Sequence, residues 1–286
     1  MKFIDFTKEQ FGENDGFIKD NPLFREFISE YERVCDNRPD FSGRLSSTVL
    51  EEDSDITAQN VEKLIKTIEG LEFPTSSFPG KIQLPDVIFF IGTRAWDGHG
   101  IYIDGKFYVF FNMSILNMIM AKPEFNRDIH NLHEIIHAIH YTCLPEFYPG
   151  NYRKTDQQYL NKMIAEGTAT YISGKLSGKT PGESLCFGLM DEDDFQEWIG
   201  IARESKGEIW RSLKECFETG KKDEDLMSRL FYMPGGSLDS GRFGYFYGME
   251  IVRSAACKHG DEMIMSMNME RFDSYIKKYF ENDTRK

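Results

Sequence analysis

No stretch of this 286-residue chain is apolar for long enough to span a bilayer. Basic residues are in deficit: 34 Lys and Arg stand against 47 Asp and Glu, a formal charge of −13. A surface of that sign does not neutralise phosphates, so nucleic acid is excluded as an expected partner. It is also not drawn to anionic membranes. The five cysteines (Cys35, Cys143, Cys186, Cys216 and Cys257) are odd in number, widely spaced and form no CxxC. That argues against a disulfide framework and for reduced thiols. The segment Met1 to Asp20 has no apolar core of signal-peptide type and carries Asp5, Glu9, Glu13 and Asp15. A cytoplasmic protein with reduced thiols is the expectation, with a removed export signal left open. Internal repeats and low-complexity segments are absent. Histidine is scarce too, at 6 residues, but four of the six lie close together.

Those four are His130, His133, His137 and His140, inside a stretch from Asn126 to Leu144. Ile129, Leu132, Ile135, Ile136 and Ile139 recur there at helical spacing, between Pro123 and Pro145. At about 100° per residue the four imidazoles fall within an arc of roughly 80°. The isoleucines and Leu132 cover much of the remaining surface, so the helix is expected to be buried. A buried imidazole stripe needs partners, because unsatisfied polar groups are costly inside a protein. A metal ion is the simplest one. The run His133-Glu134-Ile135-Ile136-His137 is an HExxH sequence. Two histidines four apart reach one ion from one helical face, and the glutamate between them is placed to act on water. The bland alternative is a core helix whose histidines bond backbone carbonyls.

A catalytic zinc usually takes three protein ligands and keeps one position open. The longer metzincin pattern would supply a third histidine, but His140 stands at its glycine position and Cys143 at its third-histidine position. Glu166 is the preferred candidate. It lies in a second expected helix, Gln157 to Leu176, among the small residues Ala165, Gly167 and Ala169. Small neighbours let two helices approach closely, and the chain after His137 is long enough to reverse direction. His140 competes. Three ligands from one straight helix would span about 10 Å, too long for a tetrahedral ion, so His140 is given a neighbouring role.

At these residues the chain resembles the gluzincins, zinc peptidases with HExxH and a downstream glutamate on a second helix. The thermolysin-like members place an aspartate four residues after that glutamate. Thr170 stands there instead. The Glu-Gly-x-Ala form is more similar to bacterial families described as predicted zinc-dependent proteases, which also carry a Gly-Tyr-rich helix near the C-terminus. Gly241-Arg242-Phe243-Gly244-Tyr245-Phe246-Tyr247-Gly248 resembles that helix. The resemblance covers roughly residues 85 to 258. It implies zinc held by His133, His137 and Glu166, Glu134 as the base, and a peptide or protein as substrate. The oxyanion donor is expected in Tyr245 or Tyr247, with Tyr245 ahead because it follows Gly244. Arg242 is a candidate for holding a substrate carboxylate.

The rest of the chain suits an α+β fold: a zincin-like catalytic domain with a small sheet packed on the HExxH helix, mostly helical elsewhere. Residues 1–80 are expected to be a helical N-terminal region and 81–286 the catalytic domain with a helical C-terminal part. Asn21-Pro22 reads as a cap and first turn, followed by Phe24, Phe27, Ile28 and Tyr31. Ile56, Val61, Leu64, Ile65 and Ile68 mark another helix, stopped by Gly70, with a polar loop from Asn37 to Asp55 between the two. Lys81 to Gly92 and Lys106 to Asn112 read as strands. Gly98, Gly100 and Asp104-Gly105 read as turn signals, with Ile101-Tyr102-Ile103 pairing across the last. The resemblance implies an edge strand that lays a peptide beside the active helix, for which Lys106 to Asn112 is the candidate. Two other functions remain: a different metal hydrolase or two-histidine, one-carboxylate iron enzyme, or an inactive scaffold used for binding. Substrate preference and oligomeric state are not legible.

Overall fold

The computed structural model describes residues 1–12, 21–35, 48–49, 51–73, 84–94, 96–232 and 241–281. The expected loop from Asn37 to Asp55 lies largely outside them, as do Lys81 to Gln83 of the first expected strand. The fold is α+β: one four-stranded mixed sheet, with helices making up most of the remainder. The described residues form two compact units, one within Met1–Phe73 and Ile82–Thr142, the other within Cys143–Lys286. Among the described residues no helix is long and apolar enough to cross a membrane.

The first unit is built on strands β1 (Phe3–Asp5), β2 (Asp86–Phe90), β3 (Gly98–Ile103) and β4 (Lys106–Asn112), in the order β1-β2-β4-β3. β1, β2 and β4 run parallel, and β3 pairs antiparallel to β4. Val87, Ile88, Phe89 and Phe90 are fully buried, as a parallel strand covered on both faces requires. One face carries helix α2 (Pro22–Val34). Its Phe27 and Tyr31 rings meet Phe90 at 4.6 and 5.0 Å and also contact Phe110. On the other face Phe89 stacks on Phe111, which lies 5.9 Å from the His130 ring of the motif helix. β3 and β4 join through Asp104 (φ 45°) and Gly105 (φ 80°), two left-handed residues in succession, as the Asp-Gly pair predicts for a tight hairpin.

Two expectations about this sheet are corrected. β4 is interior, because β2 pairs along its far side; among the described residues the edge strands are β1 and β3, and β3 is the one beside β4. Gly98 and Gly100 are strand residues rather than turn residues. A Cβ on Gly98 would stand 2.9 Å from Cγ of Glu134, and one on Gly100 would stand 3.0 Å from both N and Cα of Ala138. Their lack of side chains lets the edge strand lie directly against the motif helix.

The helices follow their sequence signals. α1 (Thr7–Phe11) follows β1, and α2 is capped by Asn21, which accepts from the Phe24 amide, with Pro22 in the first turn. α3 (Ser54–Glu69) is capped by Asp53 and buries Val61, Leu64 and Ile68, while Ile56 is half exposed instead of joining that face. A short helix α4 (Met113–Ile119), which the sequence reading missed, starts directly from β4 with Asn112 as its cap. The motif helix α5 spans Arg127–Cys143 and is buried at every position from Ile129 to Tyr141.

In the second unit a π-helical turn at Gln157–Asn161 leads into α6 (Lys162–Ser177), ended by Gly178 in the left-handed region. Then come α7 (Pro181–Cys186), α8 (Glu192–Thr219), α9 (Glu224–Phe231), α10 (Phe243–His259), α11 (Asp261–Ile264) and α12 (Met269–Glu281). α8 is capped by Asp191, which accepts from the Asp194 amide, and its first turn is acidic, as the helix dipole favours. That helix continues for 28 residues. The Gly-Tyr-rich segment forms the first turns of α10. There α6 and α10 touch through glycine: a Cβ on Gly167 would stand 2.5 Å from Cα of Gly248.

Candidate metal centre

The motif side chains are buried on α5, with His133 1%, Glu134 4% and His137 0% exposed. The 3.6-residue repeat puts His133 and His137 one turn apart on one face. Their Nε2 atoms face each other at 3.0 Å. Two imidazole ligands at about 2.05 Å from a tetrahedral zinc would stand about 3.3 Å apart. The pair therefore fits a shared ion within a few tenths of an ångström, and its donor chemistry is that of zinc sites.

A further histidine joins them that the sequence reading did not single out, although it read the glycines on either side as turn signals. His99 projects from β3, is 3% exposed, and has its ring centroid 4.4 Å from that of His137. Its Nδ1 lies 3.6 Å from Oε2 of Glu134. Its Nε2 lies 2.8 Å from the hydroxyl of Tyr141, and that hydroxyl lies 3.1 Å from Nδ1 of His137. Tyr141 also escaped the sequence reading, although it continues the stripe of His133 and His137 by one more turn. The signal for His99 was the Gly-His-Gly run in an apolar strand, where alternate glycines indicate close backbone approach.

The loop before β3 is held by Asn112, which is fully buried. Its Nδ2 donates to the carbonyls of Thr93 and Trp96, and its Oδ1 accepts from the amides of Gly92 and Ser114 and from the Ser114 hydroxyl. The same loop places Trp96 edge-on against His99, with centroids 4.6 Å apart, and sets Asp97 Oδ2 3.1 Å from Nε2 of His130. Within the first unit two groups thus bring ligand atoms within 4.8 Å of one another: His99, Glu134 and His137; and Asp97, His130 and Glu134. His140 is fully buried. Burial, with His137 adding a smaller contribution, pushes its pKa down to about 3, so its imidazole is neutral at physiological pH. Asn131, also fully buried, has no hydrogen-bond partner for either amide atom among the described residues.

Glu166 and Tyr245 belong to the second unit. Glu166 is 3% exposed in the middle of α6, followed by the Gly167 contact with α10. Burial and then the charge of Glu166 raise the Tyr152 phenol well above its ordinary value, and Tyr152 donates to the Phe147 carbonyl at 2.6 Å. The hydroxyls of Thr168 and Thr170 beside Glu166 are buried without a hydrogen-bond partner among the described residues. Tyr245 lies in the first turn of α10, with the guanidinium of Arg242 4.0 Å from its ring centre and 5.0 Å from that of Phe187. Tyr247 is fully buried and donates to the Ala202 carbonyl at 2.5 Å. Cys143, the one cysteine on the motif helix, has its thiol pKa raised by burial and is not an activated nucleophile. Comparison with protein-family models, with curated proteins and with solved structures finds no match to the chain.

Proposed function

We propose that the protein is a zinc-dependent peptidase on a zincin-like scaffold. The observation that carries this reading is the pair of buried Nε2 atoms facing each other at 3.0 Å, with the Glu134 carboxylate in the turn between them. His133 and His137 are the proposed histidine ligands and Glu166 the third. For Glu166 the support is its place in the Glu-Gly-x-Ala segment and its burial in mid-helix. Zinc bound there would supply Lewis acidity toward a peptide carbonyl and toward water. Glu134 takes the proton from the attacking water and passes it to the leaving amine. Tyr245 is the proposed donor to the developing oxyanion, in preference to Tyr247, whose hydroxyl is committed to the Ala202 carbonyl. The substrate backbone pairs with β3, the sheet edge that runs against α5. Recognition through main-chain hydrogen bonds suits an extended peptide of many sequences.

A second reading has one observation in its favour. His99, Glu134 and His137 come from a single unit and form a two-histidine, one-carboxylate set, the donor pattern of non-haem iron. In that case Glu134 is a ligand and not a base. The two readings separate on one set of variants. Protein purified without added metal should contain about one zinc per chain by elemental analysis. Glu134→Gln should keep that zinc and lose cleavage of a mixed-peptide library by roughly a hundredfold or more. Glu166→Ala should lose metal. Loss of metal in Glu134→Gln, or bound iron, would favour the second reading. Full retention in Glu166→Ala with loss in His140→Gln would overturn the ligand set. A metal-bound wild type without turnover on any peptide would make the chain a binding scaffold.

A further inference from the structure

We infer that Tyr141 and His99 set the tautomer of His137, and so act as positioning residues for the metal centre. The inference rests on the zinc reading for its purpose but not for its test. A phenol has one proton to donate, and the Tyr141 oxygen faces two imidazole nitrogens: His99 Nε2 at 2.8 Å and His137 Nδ1 at 3.1 Å. With both imidazoles neutral and the phenol bridging them, it donates to one and accepts from the other, in one of two arrangements.

In the first, His137 donates from Nδ1 to Tyr141, and Tyr141 donates to Nε2 of His99. His137 then keeps a bare Nε2 toward His133, as a metal ligand must. His99 carries its proton on Nδ1, the atom 3.6 Å from Oε2 of Glu134. That distance is too long for a full hydrogen bond but keeps the positive end of an N–H dipole near a carboxylate. In the second arrangement every proton is reversed. His137 would carry a proton on Nε2, where the ion belongs, and His99 would turn a lone pair toward the carboxylate. Without an ion the His137 end is satisfied either way, since a proton on its Nε2 can be donated to His133 Nε2 at 3.0 Å; the second arrangement is unfavourable at the His99 end, and the low dielectric around three side chains at 3% exposure or less sharpens the difference. Gly100 makes the chain possible: a Cβ there would stand 3.0 Å from Cδ2 of Tyr141 and push the strand away.

The test reads the tautomers directly, in full-length metal-free protein with ¹⁵N-labelled histidine, from long-range proton–nitrogen correlations. Both His99 and His137 are expected with the proton on Nδ1. In Tyr141→Phe the preference at His137 should be lost, and zinc affinity, measured by competition with a chromophoric chelator, should fall about 10- to 100-fold. His99→Gln, whose side-chain oxygen can still accept from Tyr141, should keep most of the affinity, whereas His99→Leu should lose it to the same degree as Tyr141→Phe. A His137 proton on Nε2 in the wild type would overturn the inference without any variant. Loss of metal in His99→Gln with full affinity in Tyr141→Phe would also overturn it, making His99 a ligand. A wild type that binds no zinc would sink the peptidase reading and leave the tautomer measurement intact.

Discussion

The closest approach of two helices in the second unit can be tested with one methyl group. Gly167 on α6 and Gly248 on α10 sit backbone to backbone: a Cβ on Gly167 would stand 2.5 Å from both Cα and O of Gly248. A Cβ on Gly248 would overlap the Met163 carbonyl oxygen and come within 3.1 Å of Gly167 Cα. Carbon contacts settle at about 3.5–4.0 Å, so the helices must separate by about 1 Å. No side chain can rotate out of the way, because the opposing atoms are main chain. Overpacking of a rigid site costs about 3 kcal/mol at the upper end of its usual range. Alanine returns about 1 kcal/mol of helix propensity. The net expectation for Gly248→Ala is a loss of about 2 kcal/mol. The same change at Gly200 or Gly207, both inside α8 with nothing within 4 Å, should stabilise by about 0.4–1 kcal/mol. Urea unfolding followed by circular dichroism reads the difference. With a slope of about 2 kcal/mol per molar, the Gly248→Ala midpoint falls by about 1 M while the Gly200→Ala midpoint rises slightly. A Gly248→Ala protein as stable as Gly200→Ala would refute the reasoning, because the close crossing would then carry no cost to fill.

Two further substitutions probe the scaffold. Asn112→Ala removes five hydrogen bonds in a buried loop, takes away the acceptor of the Gly92 amide and leaves the Thr93 carbonyl without one of its two donors, the Tyr31 hydroxyl remaining. It should cost about 3 kcal/mol and speed hydrogen exchange at Gly92, and unchanged protection there would contradict the role given to Asn112. At Asp261 burial raises the carboxyl, but bonds from Lys175 and Tyr171 outweigh it and hold its pKa below the usual 3.8. A lowered folded pKa means the contribution is full above about pH 4 and is lost as pH falls through the folded value. Asp261→Asn should therefore destabilise by up to about 1 kcal/mol at pH 7 and by progressively less as pH falls below about 4, in paired thermal melts. A deficit that stays constant across that range would mean the carboxylate charge is not involved.

The local structure was legible wherever one segment carries its own instructions. Asn21-Pro22 caps the helix it precedes, Asp104-Gly105 makes the hairpin, and the isoleucine spacing of α5 marks a buried helix with its histidines on one stripe. HExxH needs no tertiary information, since four residues of helix alone bring His133 and His137 to one ion. Strand order was not legible. Lys106 to Asn112 reads as an edge only until β2 pairs beside it, and apolar content does not distinguish a covered strand from a bordering one. Gly98 and Gly100 read as turn residues because glycine serves both turns and close approach, and only the packing of β3 on α5 decides which.

From the chain alone come the net charge, the helix and its imidazole stripe, and the carboxylate set between two of the histidines. Only the tertiary structure decided that a strand 30-odd residues upstream supplies a fifth histidine, and that Tyr141 joins it to His137. The physical reason is range: a helix fixes neighbours three and four residues apart, whereas a contact between His99 and Tyr141 exists only because a sheet edge without side chains lies against that helix.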